Sequence, residues 1–126
     1  MEERLDILLV EDDELDILNV ERALRHAAVH VSLRVARDGF EALQLLDLDG
    51  PPTVVLLDLG MPGMDGLELL RRIRARADLR VLPVVVLTGS PDEDDRGEAM
   101  RFGVAGYLQK PLSMARFEEC LDGFHP

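Results

Sequence analysis

Four of the apolar runs in this chain end in polar side chains that could do chemistry together. They are three acids after LDILLV, an acid that ends TVVLLD, a hydroxyl that ends PVVVLT and the only lysine, after AGYLQ: Glu11, Asp12, Asp13, Asp58, Thr88 and Lys110. Carboxylates that are brought close together repel, and at neutral pH a bound cation, a lysine or a proton must offset the repulsion. Hard divalent cations prefer oxygen ligands, and a site with few protein donors suits Mg²⁺, which keeps several waters.

This set of side chains favours chemistry on a phosphoryl group. A carboxylate beside Mg²⁺ and an ammonium can act as a nucleophile toward phosphorus and form an acyl phosphate, while Thr88 supplies a hydroxyl to a phosphoryl oxygen. Simpler interpretations also exist, because acids after a strand are often helix caps and a threonine is an ordinary strand residue. Asp58 is harder to explain in this way, since a carboxylate beside a buried strand is costly without partners.

These side chains meet only if the elements before them lie side by side. Five apolar runs alternate with segments of helical period, which predicts strands at 5–10, 31–35, 53–58, 83–88 and 105–109 and helices at 15–27, 39–48, 65–77, 90–102 and 113–124. The alternation predicts a doubly wound α/β fold with right-handed crossovers and a five-stranded parallel sheet in the order 2-1-3-4-5. The ligand crevice would lie past the carboxyl ends of strands 1 and 3, where the order reverses.

Helical periodicity also predicts which apolar side chains share a face. The predicted groups are Leu15, Leu18, Ala23 and Ala27 in the first helix, Phe40, Leu43 and Leu46 in the second, and Leu67, Leu70 and Ile73 in the third. Asp65 and Ser113 are expected to cap the third and fifth helices, and Gly103 is expected to end the fourth.

Length and charge limit the class of protein. A chain of 126 residues fits one domain, and we expect residues 1–126 to form it. The net charge of −11 argues against binding to nucleic acid or to anionic membranes, because no basic stripe is present to pair with phosphates. No apolar run approaches the roughly 20 residues that span a bilayer, and the acidic N-terminus is unlike a signal peptide. These features predict a cytoplasmic protein.

With these motifs in order, the chain resembles the receiver domain of two-component response regulators over essentially its whole length. The matching elements are LLVEDD, LLDLGMPGMDGLELL, VVVLTGS and GYLQKP. Thr88 lies 30 positions and Lys110 lies 52 positions after Asp58, which are the separations expected in receivers. The resemblance implies the flavodoxin-like (βα)5 receiver fold and an Mg²⁺-dependent transfer of a phosphoryl group from a histidine kinase.

The resemblance implies a role for each motif residue. Asp58 would be the phospho-acceptor, Thr88 the switch hydroxyl, Lys110 the phosphate contact, Tyr107 the aromatic switch, and Asp12, Glu11 (through water) and the Gly60 carbonyl the further metal ligands. Asp13 is a third acid and leaves open which pair holds the metal. Lys110–Pro111 resembles the family's cis peptide, and the slender lysine stem suits a small phosphoryl group better than the wide fork of arginine.

No effector domain follows the fifth helix in this sequence, so a stand-alone receiver is expected that is not an enzyme acting on other substrates. It would signal by protein contact through helix 4, strand 5 and helix 5, as a homodimer or with a downstream target or phosphotransfer protein. Within that face, Met100 and Phe117 are expected to point into the core, and Met114 lies on the same surface.

The kind of kinase partner is less directly indicated. VARDGFEAL, ADLRVLPVVVLTGS and Asp16 resemble receivers that are partnered with phytochrome-type histidine kinases. A chemotaxis-type receiver that docks on a motor or another target is the alternative. A metal-dependent phosphatase with an aspartyl nucleophile is more remote, because that class usually needs a second Asp where Gly60 stands.

Overall fold

The computed structural model of the protein describes residues 4–26, 30–60, 66–89 and 93–124. Five strands alternate with five helices along the chain: β1 Arg4–Val10, α1 Glu14–Arg25, β2 His30–Ala36, α2 Gly39–Asp49, β3 Val54–Asp58, α3 Gly66–Ala75, β4 Val84–Thr88, α4 Glu93–Arg101, β5 Gly106–Gln109 and α5 Met114–Asp122. Each element lies within its predicted segment or extends it by one residue at one end, except β2, which extends it by one residue at both ends. The longest helix, α1, has 12 residues, and no helix in the described ranges is long and apolar enough to cross a membrane.

The five strands form one parallel sheet in the order β2-β1-β3-β4-β5, which confirms the predicted order. All five residues of β3 and all five of β4 are buried, because helices cover both faces of the sheet centre. This explains why VVLLD and VVVLT are almost continuously apolar. The carboxyl ends of β1 and β3 are neighbours, so the crevice lies where the sequence predicted it.

Successive residues of each strand enter opposite layers of the core, as the pleat of a strand requires. Leu8 and Val10 of β1 join a cluster with side chains of α2 and α3, including Leu46 and Leu70. Ile7 and Leu9 join a second cluster with α1 and α5, including Val20, Phe117 and Leu121. The sheet is therefore held between two helical layers, and its carboxyl edge is free to carry polar side chains.

The predicted face of α1 is wrong. Leu15 and Leu18 are exposed, at 64% and 36%, whereas the core-facing residues are Ile17, Val20, Ala23 and Leu24. The helix has two apolar stripes, and the sheet packs on the one with 3- and 4-residue spacing from Ile17. Ala23 was correctly grouped with the core, and Ala27 lies outside the described residues.

The predicted face of α2 is partly wrong, and the other helix signals are largely confirmed. Phe40 is 61% exposed, whereas Ala42 and Leu46 are buried in the core and Leu43 is partly buried. Leu70 and Ile73 of α3 are buried as predicted, with Leu67 partly buried. Gly103 follows α4 with φ +67°, and the Ser113 side chain caps α5 by accepting from the Arg116 amide. The predicted Asp65 cap lies outside the described residues.

Candidate functional site

Three carboxylates meet at the carboxyl ends of β1 and β3. Glu11, Asp12 and Asp58 each offer an oxygen, and these oxygens all lie within 4.8 Å of one another. Glu11 and Asp58 are buried, at 1% and 8% exposure, and Asp12 is exposed. The site is therefore a crevice with a buried floor and one acid facing solvent.

The donor set fits a hard divalent cation. All three groups are oxygen donors, and they leave coordination positions for water or substrate, which suits Mg²⁺ more than a cation that needs a closed protein cage. The Gly60 amide donates to Oδ1 of Asp58 at 3.1 Å and brings the Gly60 backbone beside this carboxylate. A metal contact through the Gly60 carbonyl stays a prediction.

Asp13 belongs to the helix rather than to the cluster. Its Oδ1 accepts hydrogen bonds from the amides of Leu15 and Asp16, at 2.9 and 3.1 Å, and so caps α1. The Asp13 amide in turn donates to Oε1 of Glu11 at 3.2 Å. The cap interpretation of the acids after β1 therefore holds for Asp13, and the structure brings Glu11 and Asp12 to Asp58.

Lys110 extends its ammonium into the same crevice from the end of β5. Its Nζ lies 2.6 Å from Oε2 of Glu11, 2.8 Å from Oδ2 of Asp16 and 3.6 Å from Oδ2 of Asp58. The Lys110 amide donates to the Thr88 carbonyl at 2.7 Å, which continues the β4–β5 ladder by one bond. The Lys110–Pro111 peptide bond is cis, as predicted.

The crevice shifts the pKa of Glu11 and of Lys110. Burial, opposed by Lys110 and reinforced by Asp58, raises the pKa of Glu11 from 4.5 to about 7. For Lys110, burial alone would lower the pKa, but the hydrogen bonds from its ammonium to Asp16 and Glu11 and the charge of Asp58 outweigh burial and raise the pKa. Lys110 is thus charged, and burial beside Asp58 disfavours the charged form of Glu11.

Thr88 and Tyr107 lie on the side of the crevice that faces α4. Thr88 is buried at the end of β4, one residue beyond Leu87, which pairs with Asp58. Tyr107 is half-buried on β5, and the Arg96 guanidinium lies over its ring at 5.3 Å from the centroid. A switch that runs through these two residues from the crevice to the α4–β5 surface stays a prediction.

On that surface one expectation is confirmed and one is wrong. Phe117 is buried, as expected, but Met100 is 54% exposed. Met100 is exposed because Ala99, the preceding residue, occupies the core-facing position of this turn of α4. Met114 is also exposed, so the surface carries two exposed methionine side chains.

Two residues at the site were missed in the sequence. For Asp16 the sequence indicates only a resemblance, although its position three residues after a cap candidate places it in the first turn of α1, near the crevice. Gly66 lies within the LLDLGMPGMDGLELL motif, and the sequence predicted no role for it. A Cβ at Gly66 would lie 2.5 Å from the Asp58 carbonyl oxygen and 2.6 Å from Cα of Leu59, so the start of α3 can approach β3 only without a side chain.

Comparisons of the sequence find relatives over almost the full chain. The family model described as response regulator receiver domain matches residues 7–122. Response regulator Rcp1 of Synechocystis sp. is 36% identical over 123 residues, which cover 93% of this chain and 84% of Rcp1. Chemotaxis protein CheY-3 of Vibrio cholerae is 35% identical over 122 residues, which cover 97% of this chain and 92% of CheY-3.

Solved structures of response regulators are also similar to this chain over most of its length. The Mn²⁺-bound form of Rcp1 superimposes with a TM-score of 0.80 at 35% identity, covering 94% of this chain and 90% of that one. The phosphorylated cyanobacterial phytochrome response regulator RcpA superimposes with a TM-score of 0.83 at 32% identity, covering 96% and 91%. The range that the family model matches, residues 7–122, contains every residue of the crevice.

Proposed function

The chain belongs to the response regulator receiver family, and on that basis we propose that it accepts a phosphoryl group from a histidine kinase onto Asp58 in an Mg²⁺-dependent reaction. One observation carries the proposal. The Asp58 carboxylate has an oxygen within 4.8 Å of oxygens of Glu11 and Asp12, and the Lys110 ammonium lies 3.6 Å from its Oδ2. This arrangement provides oxygen ligands and a fixed positive charge beside the acceptor.

Each residue of the crevice has a separate role in the proposed phosphoryl transfer. The Gly60 amide holds Oδ1 of Asp58, which orients the carboxylate. An Asp58 oxygen forms a bond to phosphorus as the phosphorus–nitrogen bond of the donor phosphohistidine breaks, and the imidazole nitrogen takes the electron pair and a proton from solvent. Lys110 and the Thr88 hydroxyl then donate to oxygens of the transferred group.

The metal site follows from the same carboxylates. Asp12, Glu11 and Asp58 would hold the ion, in part through water. When bound, Mg²⁺ offsets the repulsion among these acids and the negative charge of the phosphoryl oxygens. The Mn²⁺-bound form of Rcp1 supports divalent metal binding in a relative, and the choice of Mg²⁺ rests on the small number of protein donors.

For the partner we propose a phytochrome-type histidine kinase. Support comes from RcpA, which is a phytochrome response regulator and is similar over almost the whole of both chains. A chemotaxis-type receiver is the second candidate, because CheY-3 has comparable identity and coverage. We also propose that the chain catalyses only its own phosphorylation and dephosphorylation, since Gly60 occupies the position where aspartyl-nucleophile phosphatases place a second Asp.

For output we propose the surface formed by α4, β5 and α5, in contact with a partner protein or a second copy of the chain. Drawing the Thr88 hydroxyl toward a phosphoryl group would give Tyr107 room to turn inward from β5. The Arg96 guanidinium over the Tyr107 ring links that movement to α4. A charge change in the crevice would in this way bias a two-state surface.

The acceptor assignment is tested by mass. Protein incubated with acetyl phosphate and Mg²⁺ should gain one phosphoryl group in an intact-mass spectrum, and Asp58→Asn should gain none. Asp47→Asn is the matched control, because Asp47 is an exposed acid on α2 and should leave labelling unchanged. Equal labelling of Asp58→Asn and wild type would disprove the assignment.

The partner is tested by phosphotransfer. Labelled phosphate should pass faster from a phytochrome-type kinase than from a chemotaxis kinase at matched concentrations. The reverse order would favour the second candidate, and turnover of an external phosphate ester by the purified protein would favour the phosphatase class.

A further inference from the structure

The ammonium of Lys110 has a carboxylate partner that lies outside the metal-binding cluster. Nζ of Lys110 lies 2.8 Å from Oδ2 of Asp16, almost as close as it lies to Glu11. The two residues are 94 positions apart in sequence, and the contact joins the first turn of α1 to the end of β5. Asp16 is not one of the three acids whose oxygens cluster for a metal.

We infer that Asp16 is a positioning residue that keeps the Lys110 ammonium aimed at Asp58 throughout the phosphorylation cycle. The inference rests on the proposed function of this crevice. An ammonium has three N–H donors. Glu11 and Asp16 accept two of them, and the remaining one is left for Asp58, at 3.6 Å, or for a phosphoryl oxygen attached to it.

The three carboxylate partners of Lys110 differ in what the reaction does to them. Asp58 becomes an acyl phosphate, and Glu11 is a candidate metal ligand whose charge a cation would share. Asp16 takes neither role, so its attraction for the ammonium does not change as the site is loaded or phosphorylated. It is therefore the constant partner, and the side chain of Lys110 would lose one of its two short contacts without it.

The surroundings of Asp16 fix its own position. Its amide donates to Oδ1 of Asp13, so the cap of α1 holds the turn that carries Asp16. Its side chain is 31% exposed, at the edge of a groove shared with Leu15, Asn19 and Pro111, while Lys110 is 16% exposed. Asp16 thus binds Lys110 from a turn that the helix cap holds in place.

The first test observes Lys110 without any phosphorylation. Because it is the only lysine, protein made with lysine labelled with ¹⁵N at Nζ gives a single ammonium signal in an NMR spectrum. Asp16→Asn should speed exchange of the ammonium protons with water by about tenfold, since a hydrogen bond to a charged group is lost or weakened. Glu14→Gln is the matched control, because it removes the same charge from the same turn and Glu14 pairs with Arg37 instead.

The second test measures the affinity for a phosphoryl analogue, which depends on the position of the ammonium. Asp16→Asn should bind beryllofluoride, a phosphoryl analogue, with Mg²⁺ about tenfold more weakly than wild type, whereas Glu14→Gln should bind normally and Asp16→Glu should recover part of the loss. Unchanged ammonium exchange, or equal or tighter beryllofluoride binding by Asp16→Asn, would overturn the inference. Failure of wild type itself to bind beryllofluoride would instead overturn the proposed function, and the ammonium exchange distinguishes the two cases.

Discussion

Oδ2 of Asp58 lies 3.6 Å from Nζ of Lys110, a distance at which the two charges attract but do not share a hydrogen bond. A phosphoryl group on Asp58 would extend from the carboxylate and bring an oxygen into hydrogen-bonding distance of the ammonium. Lys110 needs no large movement for this, because other carboxylates already hold it. Because Lys110 is already in position, no free energy is spent on reorganising it when the phosphoryl group is transferred. A change in its position should therefore weaken its contact with the phosphoryl group.

Replacement of Lys110 by arginine should be far from neutral. Lys110→Arg keeps the charge, but the wide guanidinium replaces a compact ammonium in a crevice where Lys110 is only 16% exposed. We expect beryllofluoride affinity to fall by about tenfold or more, as for the loss of a charged hydrogen bond. Arg116→Lys, an exchange between the same residue types at an exposed position, is the control. A Lys110→Arg protein with wild-type affinity would show that the shape of this side chain is unimportant.

Asp12 and Asp13 are adjacent in sequence but should respond differently to alanine. Asp12→Ala should weaken Mg²⁺ binding in a calorimetric titration without loss of stability, because it removes one of three repelling acids. Asp13→Ala should keep Mg²⁺ binding but lower the free energy of unfolding by about 1 kcal/mol, the usual cost of a lost helix cap. If instead Asp13→Ala abolished metal binding and Asp12→Ala did not, the assignment of the acid pair would be wrong.

The raised pKa of Glu11 predicts a pH-dependent loss of stability. Between pH 4.5 and about 7 the folded protein holds a proton on Glu11 that the unfolded chain has lost. The contribution of Glu11 to stability therefore falls as pH rises through this window and is constant above it, with an upper bound of roughly 3 kcal/mol.

Glu11→Gln isolates this contribution. In EDTA, the stability of the variant relative to wild type should increase from pH 5 to pH 8, as measured by urea unfolding at each pH. Adding Mg²⁺ should stabilise wild type more at pH 8 than at pH 5, because the metal binds the ionised acid. A stability difference between the two proteins that does not vary with pH would contradict the raised pKa.

Two glycines at helical positions should have opposite responses to alanine. Gly66→Ala should destabilise the protein by about 1–3 kcal/mol, because the new Cβ meets the backbone of Asp58 and Leu59. Gly97→Ala should stabilise it by about 0.5–1 kcal/mol, because a Cβ there meets nothing within 4 Å and alanine favours the helix. Denaturant unfolding measures both, and the weaker labelling of Asp58 by acetyl phosphate that we expect in Gly66→Ala should be absent from Gly97→Ala.

Phosphorylation should promote association through the surface of α4, β5 and α5. Sedimentation of wild type with and without beryllofluoride should show a shift toward a dimer, and Tyr107→Ala should reduce the shift. A useful switch needs only about 1–3 kcal/mol of coupling between the crevice and the surface. A monomer under all conditions, with a partner contact on α2 and α3, would contradict this output surface.

The sheet could be predicted from the sequence because strands that are buried on both faces consist almost entirely of apolar residues. Runs such as VVVL are apolar throughout, and polar residues that follow them mark the carboxyl edge. Helix faces were harder to predict, since α1 carries two apolar stripes and only packing against the sheet decides that Ile17 is buried and Leu15 is not.

For the polar residues, local interactions could be predicted from the sequence, whereas contacts between residues far apart in sequence could not. The cap formed by Asp13 is a local interaction, and its signature of an acid before a helix is present in the sequence. The contact between Asp16 and Lys110 joins residues 94 positions apart, and its geometry depends on where α1 lies relative to β5. Likewise, the closeness of Gly66 to Asp58 depends on the angle at which α3 leaves the sheet.

Helix α4 buries little in the part whose side chains the structure describes, residues 96–101. Between Arg96 and Arg101 only Ala99 is buried, whereas α3 buries Leu69, Leu70 and Ile73. Gly97 weakens the helix further from within. Local unfolding should therefore begin here, and backbone amides of α4 should exchange with deuterium at a lower opening free energy than those of α3. The element beside Tyr107 is thus one whose equilibrium a smaller energy input can shift than that of α3.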